Sequence, residues 1–355
     1  MSRKIKVLVV EDSSLVRKII VDILESDPLI EVVGTANNGK TAIYRNNVLE
    51  PDVITMDIEM PIMDGLEALQ QIIKTKPRPV IMMSVLTQHG TEATFKALEY
   101  GAIDFIPKPS SNVSLSVNEI ADLLIGKVKS VYDSNIKIFS KKETKNLNIE
   151  DNSHLEEQKS GVNNMNDSEK IIAIGTSTGG PQALSKVFKG FPEKFPFPVM
   201  VVQHMPEGFT SSFAERLNNN SNLTVKEAED NEEILPGFGY IAPGHSHVAV
   251  EDHNGTKVIK IFKGEKVSGH MPSIDVLFDS ISKTYGKKSI CVIMTGMGRD
   301  GSEGILQVKK GGGYTIAQDE DSSVVFGMNR VAVELGAIQD VVPLEMIYKK
   351  IVEQL

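Results

Sequence analysis

The chain has 355 residues, more than one typical domain of about 100–200 residues, and its 41% apolar content can build two cores. A formal net charge of −9, with no long run of Lys or Arg, argues against nucleic-acid binding. A single cysteine excludes an internal disulfide, and no segment approaches the roughly 18–20 apolar residues of a membrane span, so a cytoplasmic protein without membrane insertion is expected.

The N-terminal apolar run is too short for a signal peptide and lacks a small-residue cleavage site; it reads instead as a first strand, residues 5–10. Further β-branched runs follow at 31–36, 53–56, 80–84 and 103–106. Between them, amphipathic segments such as 14–25 and 65–75 have helical spacing. This alternation predicts a parallel sheet with helices on both faces. Residues 118–132 extend the last helix of this half. From about 133 to 168 the chain is rich in Asn, Ser, Lys and Glu and poor in aromatics, the composition of a linker.

From residue 170 the rhythm resumes. Strands are expected at 171–175, 199–203, 240–242, 289–295 and 314–318, with helices at 181–188, 209–218, 273–284 and 301–310. The runs 248–250 and 258–262 flank Asn254-Gly255, a hairpin turn signal. Cys291 lies in the apolar run 290–294 and reads as a buried, inert thiol. The expected fold class is α/β: a flavodoxin-like doubly wound domain over 1–125, a linker over 126–168, and over 169–355 a second doubly wound parallel-sheet α/β domain with a β-hairpin.

In the first half, three carboxylates stand at strand ends: Glu11 and Asp12 after the first strand, and Asp57 after the third. Ligands of doubly wound sheets bind beyond the carboxyl ends of the strands, so these acids are expected around one crevice. Clustered carboxylates repel and call for a cation, and Mg2+, with oxygen ligands and retained waters, suits them. Ser84 and Lys108 end two further strands and supply a hydroxyl and a point charge suited to phosphate; the Lys108–Pro109 bond is a candidate cis peptide. Taken singly, each of these would be an ordinary loop residue. The set Glu11-Asp12, Asp57, Met60-Pro61, Met63-Asp64-Gly65, Ser84 and Lys108-Pro109 resembles a two-component receiver domain over about the first 125 residues. The resemblance implies that Asp57 accepts a phosphoryl group from a histidine kinase, that Glu11 and Asp12 help hold Mg2+, and that Ser84 and Lys108 sense the phosphate. Phe105 occupies the position of the switch aromatic.

In the second half, the strand 171–174 runs into Gly175-Thr176-Ser177-Thr178-Gly179-Gly180-Pro181. G-x-S-x-G at a strand-to-helix turn exposes a hydroxyl before a helix N-terminus, and the amide of Thr178 is well placed for an oxyanion. A dinucleotide site competes for the same turn, but a full G-x-G-x-x-G is absent and the next strand ends in Gln203-His204 rather than an acid. His204 can serve as a base toward Ser177. Asp300, after the strand 289–294, can orient the imidazole or cap the following helix, and the Met297 amide can approach the oxyanion site. Asp275 competes with Asp300 as the third member. His245, His247 and His253 are a weak metal-binding alternative, and His270 is divided between substrate contact and a surface role.

Gly175–Gly180, Gln203-His204-Met205-Pro206, Ala242-Pro243-Gly244 with His247, Pro272-Ser273-Ile274-Asp275-Val276-Leu277-Phe278 and Thr295–Gly301 resemble the protein-glutamate methylesterases of bacterial chemotaxis. By that resemblance Ser177 is the nucleophile, His204 the base and Asp300 the third member, with oxyanion-hole amides from Thr178 and Met297. The esterase needs no cofactor. Its substrates are glutamate methyl esters, and specific glutamines, on methyl-accepting chemotaxis receptors.

Overall fold

The computed structural model describes residues 3–85, 87–108, 116–142 and 169–355. Its first half contains β1 (Ile5–Val10), α1 (Ser14–Glu25), β2 (Ile30–Ala36), α2 (Gly39–Leu49), β3 (Val53–Asp57), α3 (Gly65–Thr75), β4 (Val80–Ser84), α4 (Gln88–Glu99), β5 (Asp104–Pro107) and α5 (Val117–Lys142). The strands form a 5-stranded parallel sheet in the order β2-β1-β3-β4-β5, the flavodoxin-like arrangement. Every residue of β3 and β4 is buried, as expected for parallel strands covered on both faces. The helices start on side-chain caps: Ser13 accepts from Val16 N, Asn38 from Thr41 N and Asp64 from Glu67 N. Gly65 is fixed by space, because a Cβ there would lie 1.9 Å from the Asp57 carbonyl oxygen. The motif glycine thus lets α3 begin hard against the end of β3.

The second half contains β6 (Ile171–Thr176), α6 (Gly180–Phe188), β7 (Val199–Gln203), α7 (Thr210–Asn220), β8 (Thr224–Glu227), β9 (Phe238–Ile241), β10 (His247–His253), β11 (Thr256–Phe262), α8 (Ile274–Tyr285), β12 (Ser289–Ile293), α9 (Ser302–Lys310), β13 (Tyr314–Gln318), α10 (Met328–Glu334), β14 (Asp340–Val342) and α11 (Ile347–Val352). A 7-stranded parallel sheet runs β14-β13-β12-β6-β7-β9-β8, while β10 and β11 pair antiparallel. The hairpin turns on Asn254 and Gly255, both at positive φ, as a two-residue turn requires.

Two expectations are adjusted. Helix α5 continues through Lys142, so it enters the stretch read as linker. The strand expected over 289–295 stops at Ile293, because the chain leaves the sheet to form the turn that carries Asp300. The candidate cis Lys108–Pro109 bond lies outside the described residues. Cys291 is fully buried, and burial pushes its thiol well above the ordinary range.

Candidate active site and acidic pocket

The acidic pocket is built from the carboxyl ends of β1, β3, β4 and β5. Ligand oxygens of Glu11, Asp12 and Asp57 lie within 4.8 Å of one another. Glu11 and Asp57 are buried, and Asp12 is exposed at the mouth of a cavity of about 530 Å3 that Ser84 and Lys108 also line. Lys108 Nζ sits 2.9 Å from Glu11 Oε2 and 2.6 Å from Asp57 Oδ2. Burial raises the Asp57 carboxyl despite Lys108, and burial together with the charge of Asp57 raises Glu11. Burial opposes the charge on Lys108 too, but its two acidic partners outweigh that and raise it. Glu11 Oε2 and Asp57 Oδ2 both lack a well-directed hydrogen bond among the described residues. One ammonium therefore under-compensates the cluster, and the oxygen-only donor set fits a hard divalent cation. Ser84 Oγ is turned toward α4, donating to Gly90 O at 3.2 Å and accepting from Thr94 Oγ1 at 2.6 Å.

The second site forms where β6, β7 and β12 end. β6 and β7 are neighbours in register, Thr176 opposite Gln203, so Ser177 and His204 leave adjacent strands at the same level. A buried network fixes this corner. Thr176 Oγ1 donates to Gln203 Oε1 at 2.6 Å, and Gln203 Nε2 donates to the carbonyls of Ser177 and His204, each at 3.0 Å. The Ser177 N–H donates to Thr295 O at 3.0 Å, which fastens the turn to the end of β12. Gly296 permits that approach, since a Cβ there would lie 2.8 Å from Ser177 Cβ.

His204 Nε2 lies 2.8 Å from Asp300 Oδ2. An ionised carboxylate can only accept, so the N–H is at Nε2 and Nδ1 is left as an acceptor. Nδ1 is buried without a hydrogen-bond partner, and among the described residues no hydrogen bond joins it to Ser177 Oγ. The Thr178 and Met297 N–H groups likewise find no partner among the described residues. Ser177, Thr178, His204 and Met297 all line one cleft of about 320 Å3.

Asp300 is fully buried and accepts four hydrogen bonds: from His204, from Ser273 Oγ at 2.7 Å, from Ile274 N at 2.7 Å and from Asp275 N at 3.2 Å. Burial opposes its ionisation, but the His204 contact and the Ser273 and Ile274 donors hold the carboxyl well below the usual range. It caps α8 rather than the helix that follows it. Asp275 in turn accepts from Gly304 N at 2.7 Å, in the first turn of α9, so each acid caps the helix next to the other. Burial, with the Asp300 charge beside it, pushes Asp275 up to about 6. Of the two competing acids, only Asp300 hydrogen-bonds His204.

The histidine alternatives divide clearly. His247 is consumed structurally, with Nε2 against Glu265 O at 2.9 Å and Nδ1 accepting from Ser273 N at 3.2 Å. His245 and His253 pair with acids instead, Glu207 and Glu251. Among the described residues the one cluster with metal-ligand spacing is Glu11, Asp12 and Asp57. His270, which the sequence left undecided, stacks flat on His204, with ring centroids 3.7 Å apart and planes 8° from parallel.

The cleft is roofed by the first half of the chain. Phe105 packs on Phe209 with centroids 4.6 Å apart, and Phe95 stacks on Phe213 at 5.7 Å. Gln182 Nε2 donates to Ala102 O at 2.8 Å, and ion pairs join Arg216 to Glu99 and Lys266 to Glu119. Phe105, Leu123 and Lys127 line the same cleft as Ser177.

Residues 172–351 match the CheB methylesterase family, and residues 7–118 match the response regulator receiver domain. The chain belongs to the CheB methylesterase family. Among its relatives, the protein-glutamate methylesterase/protein-glutamine glutaminase of Pyrococcus horikoshii is 46% identical over 99% of this chain and 94% of that protein. The protein of the same name from Halalkalibacterium halodurans is 46% identical over 100% of this chain and 99% of its own length. The crystal structure of the Thermotoga maritima CheB methylesterase catalytic domain covers 52% of this chain and 98% of that one, with 46% identity and a TM-score of 0.52. The family assignment therefore rests on the whole chain, receiver included. No described helix is long and apolar enough to cross a membrane.

Proposed function

We propose that this CheB family member is a serine hydrolase that removes methyl groups from glutamate esters, and deamidates glutamines, on chemotaxis receptors. The observation that carries the reading is the His204 Nε2–Asp300 contact of 2.8 Å, beside Ser177 on the adjacent strand end. Ser177 Oγ attacks the side-chain carbonyl carbon while His204 Nδ1 takes its proton. Asp300 steadies the imidazolium through Nε2–H, and the N–H groups of Thr178 and Met297 receive the oxyanion. The tetrahedral intermediate collapses as the His204 proton goes to the leaving atom: to the ester oxygen, so that methanol departs, or for a glutamine to the amide nitrogen, so that ammonia departs. Water, deprotonated by His204, then cleaves the acyl-serine and restores Ser177. The esterase step draws on no cofactor.

The domain division follows: a receiver over 1–125, a connecting segment over 126–168 and the hydrolase over 169–355. Asp57 is proposed as the phosphoacceptor, with a chemotaxis histidine kinase as donor and the cytoplasm as compartment. Glu11, Asp12 and Asp57 would hold Mg2+, which when bound offsets negative charge between carboxylate and phosphoryl group. Lys108 would exchange its carboxylate partners for phosphoryl oxygens, and Ser84 would turn from Gly90 to the phosphate. The roof of Phe105, Leu123 and Lys127 over the cleft supports inhibition by the unphosphorylated receiver, relieved when the interface shifts.

Methanol release from methylated receptor membranes, with and without Mg2+ and acetyl phosphate, tests the proposal. Stimulated release by the wild-type chain and none above background by Ser177→Ala are expected. Release by Ser177→Ala at the wild-type rate would overturn it.

A further inference from the structure

The segment between β11 and α8 does more than connect them. Val267 and His270 exchange backbone hydrogen bonds, His270 N to Val267 O at 2.9 Å and Val267 N to His270 O at 3.1 Å. The two residues between them, Ser268 and Gly269, both have positive φ, so this is a closed two-residue turn. Beyond it, Ser273 Oγ and Ile274 N hold Asp300. The segment is thus tied at both ends, and it sets the His270 ring face-on against His204, 3.7 Å away and 8° from parallel.

We infer that His270 is a positioning residue for the reaction proposed above, fixing the ring plane of His204 within the cleft that it shares with Ser177. The Asp300 contact is a single hydrogen bond at Nε2, close to the Cβ–Cγ axis, so it restrains only loosely the rotation of the imidazole about that bond, a torsion that is intrinsically broad. A flat face pressed on the ring removes that freedom. The two restraints together determine where Nδ1 points, since among the described residues no hydrogen bond is made to Nδ1 itself. The chemistry of the stacked ring also fits. Burial, with His204, Lys266 and Lys127 adding to it against the opposing charge of Asp300, holds His270 down to about 3, so it is neutral at working pH. A neutral aromatic face tolerates the positive charge that forms on His204 during attack, whereas a cation there would oppose it.

The inference rests on the hydrolase reading, and the experiment separates the two. Full-length wild type, Ser177→Ala, His270→Ala and His270→Phe are compared for methanol release from methylated receptor membranes, with Mg2+ and acetyl phosphate present. Thermal melts and phosphorylation of Asp57 establish that each variant is folded. Ser177→Ala must be inactive for the hydrolase reading to stand. With that met, His270→Ala is expected to lose at least about tenfold in kcat with KM within about twofold of wild type. His270→Phe, which keeps the flat face without the nitrogens, should stay within about threefold in kcat. A fully active His270→Ala would overturn the inference, as would equal losses in both variants, or a rise in KM with kcat retained. Those outcomes would leave Ser177 in place as the nucleophile.

Discussion

Replacing Asp300 by Asn keeps the shape of the side chain and removes what the site needs from it. Each carboxylate oxygen accepts two hydrogen bonds: Oδ1 from Ser273 Oγ and Asp275 N, Oδ2 from His204 Nε2 and Ile274 N. The amide NH2 must replace one of these oxygens. At the Oδ2 position it would face both the imidazole and the Ile274 N–H. At Oδ1 it faces a hydroxyl that can turn and accept, but it leaves the Asp275 N–H without an acceptor. One stranded buried donor costs about 1–3 kcal/mol, and losing an anion at the start of α8 costs about 0.3–1 kcal/mol more. Native Asp300 is ionised far below neutral pH, so wild type has the full charge available to the imidazolium and Asn has none. Loss of that charge in a Ser–His–Asp triad lowers kcat by roughly 10³–10⁴, about 4–5.5 kcal/mol of barrier. The assay is methanol release from methylated receptor membranes with acetyl phosphate, run beside a urea melt of the full chain. A folded Asp300→Asn protein with kcat within tenfold of wild type would refute the assignment of Asp300.

Asp57→Asn is expected to abolish the stimulation of methanol release by acetyl phosphate, which a side-by-side rate measurement reads. Joint replacement of Gln182 and Arg216 by Ala removes two interface contacts, so unphosphorylated activity should rise severalfold; an unchanged rate would show that this interface does not restrain the enzyme. His270 is held down to about 3 in the native state against about 6.5 unfolded. Between those values the unfolded chain binds a proton that the native state refuses, so stability falls as pH drops from about 6.5 toward 3, by up to about 1.4 kcal/mol per pH unit. Urea melts of His270→Phe should show a shallower acid slope than wild type over that window.

Much of this was legible in the sequence, for reasons that can be assigned residue by residue. α1 and α3 were readable to their ends, because a strong apolar stripe follows a capping Ser13 or Asp64. α2 was not, since Lys40, Thr41 and Tyr44 through Asn47 give it little apolar contrast; its turn is held by Asn38 and by Asn46 bonding Lys76 O. β14, α10 and α11 are short elements that close the far edge of the second sheet, where tertiary packing rather than pattern decides. Ser177, His204 and Asp300 stood out as candidates because each follows an apolar run that ends abruptly in polar or Gly residues, and the fold brings those strand ends to one corner. The exchange of caps between Asp275 and Asp300 did not stand out, because it joins helix ends that only the fold brings together. His270 was noticed, but its stacking escaped for the same reason: nothing in Ser268-Gly269-His270-Met271 reports the ring it packs on. The Ser268-Gly269 pair was nonetheless a turn signal that could have marked the segment.

Covalent labelling of the full-length chain by a fluorophosphonate, read by peptide mass with and without Mg2+ and acetyl phosphate, tests the central claim most directly. The account predicts a single adduct on Ser177, formed faster once Asp57 is phosphorylated. An adduct elsewhere, or none while methanol is still released, would contradict it.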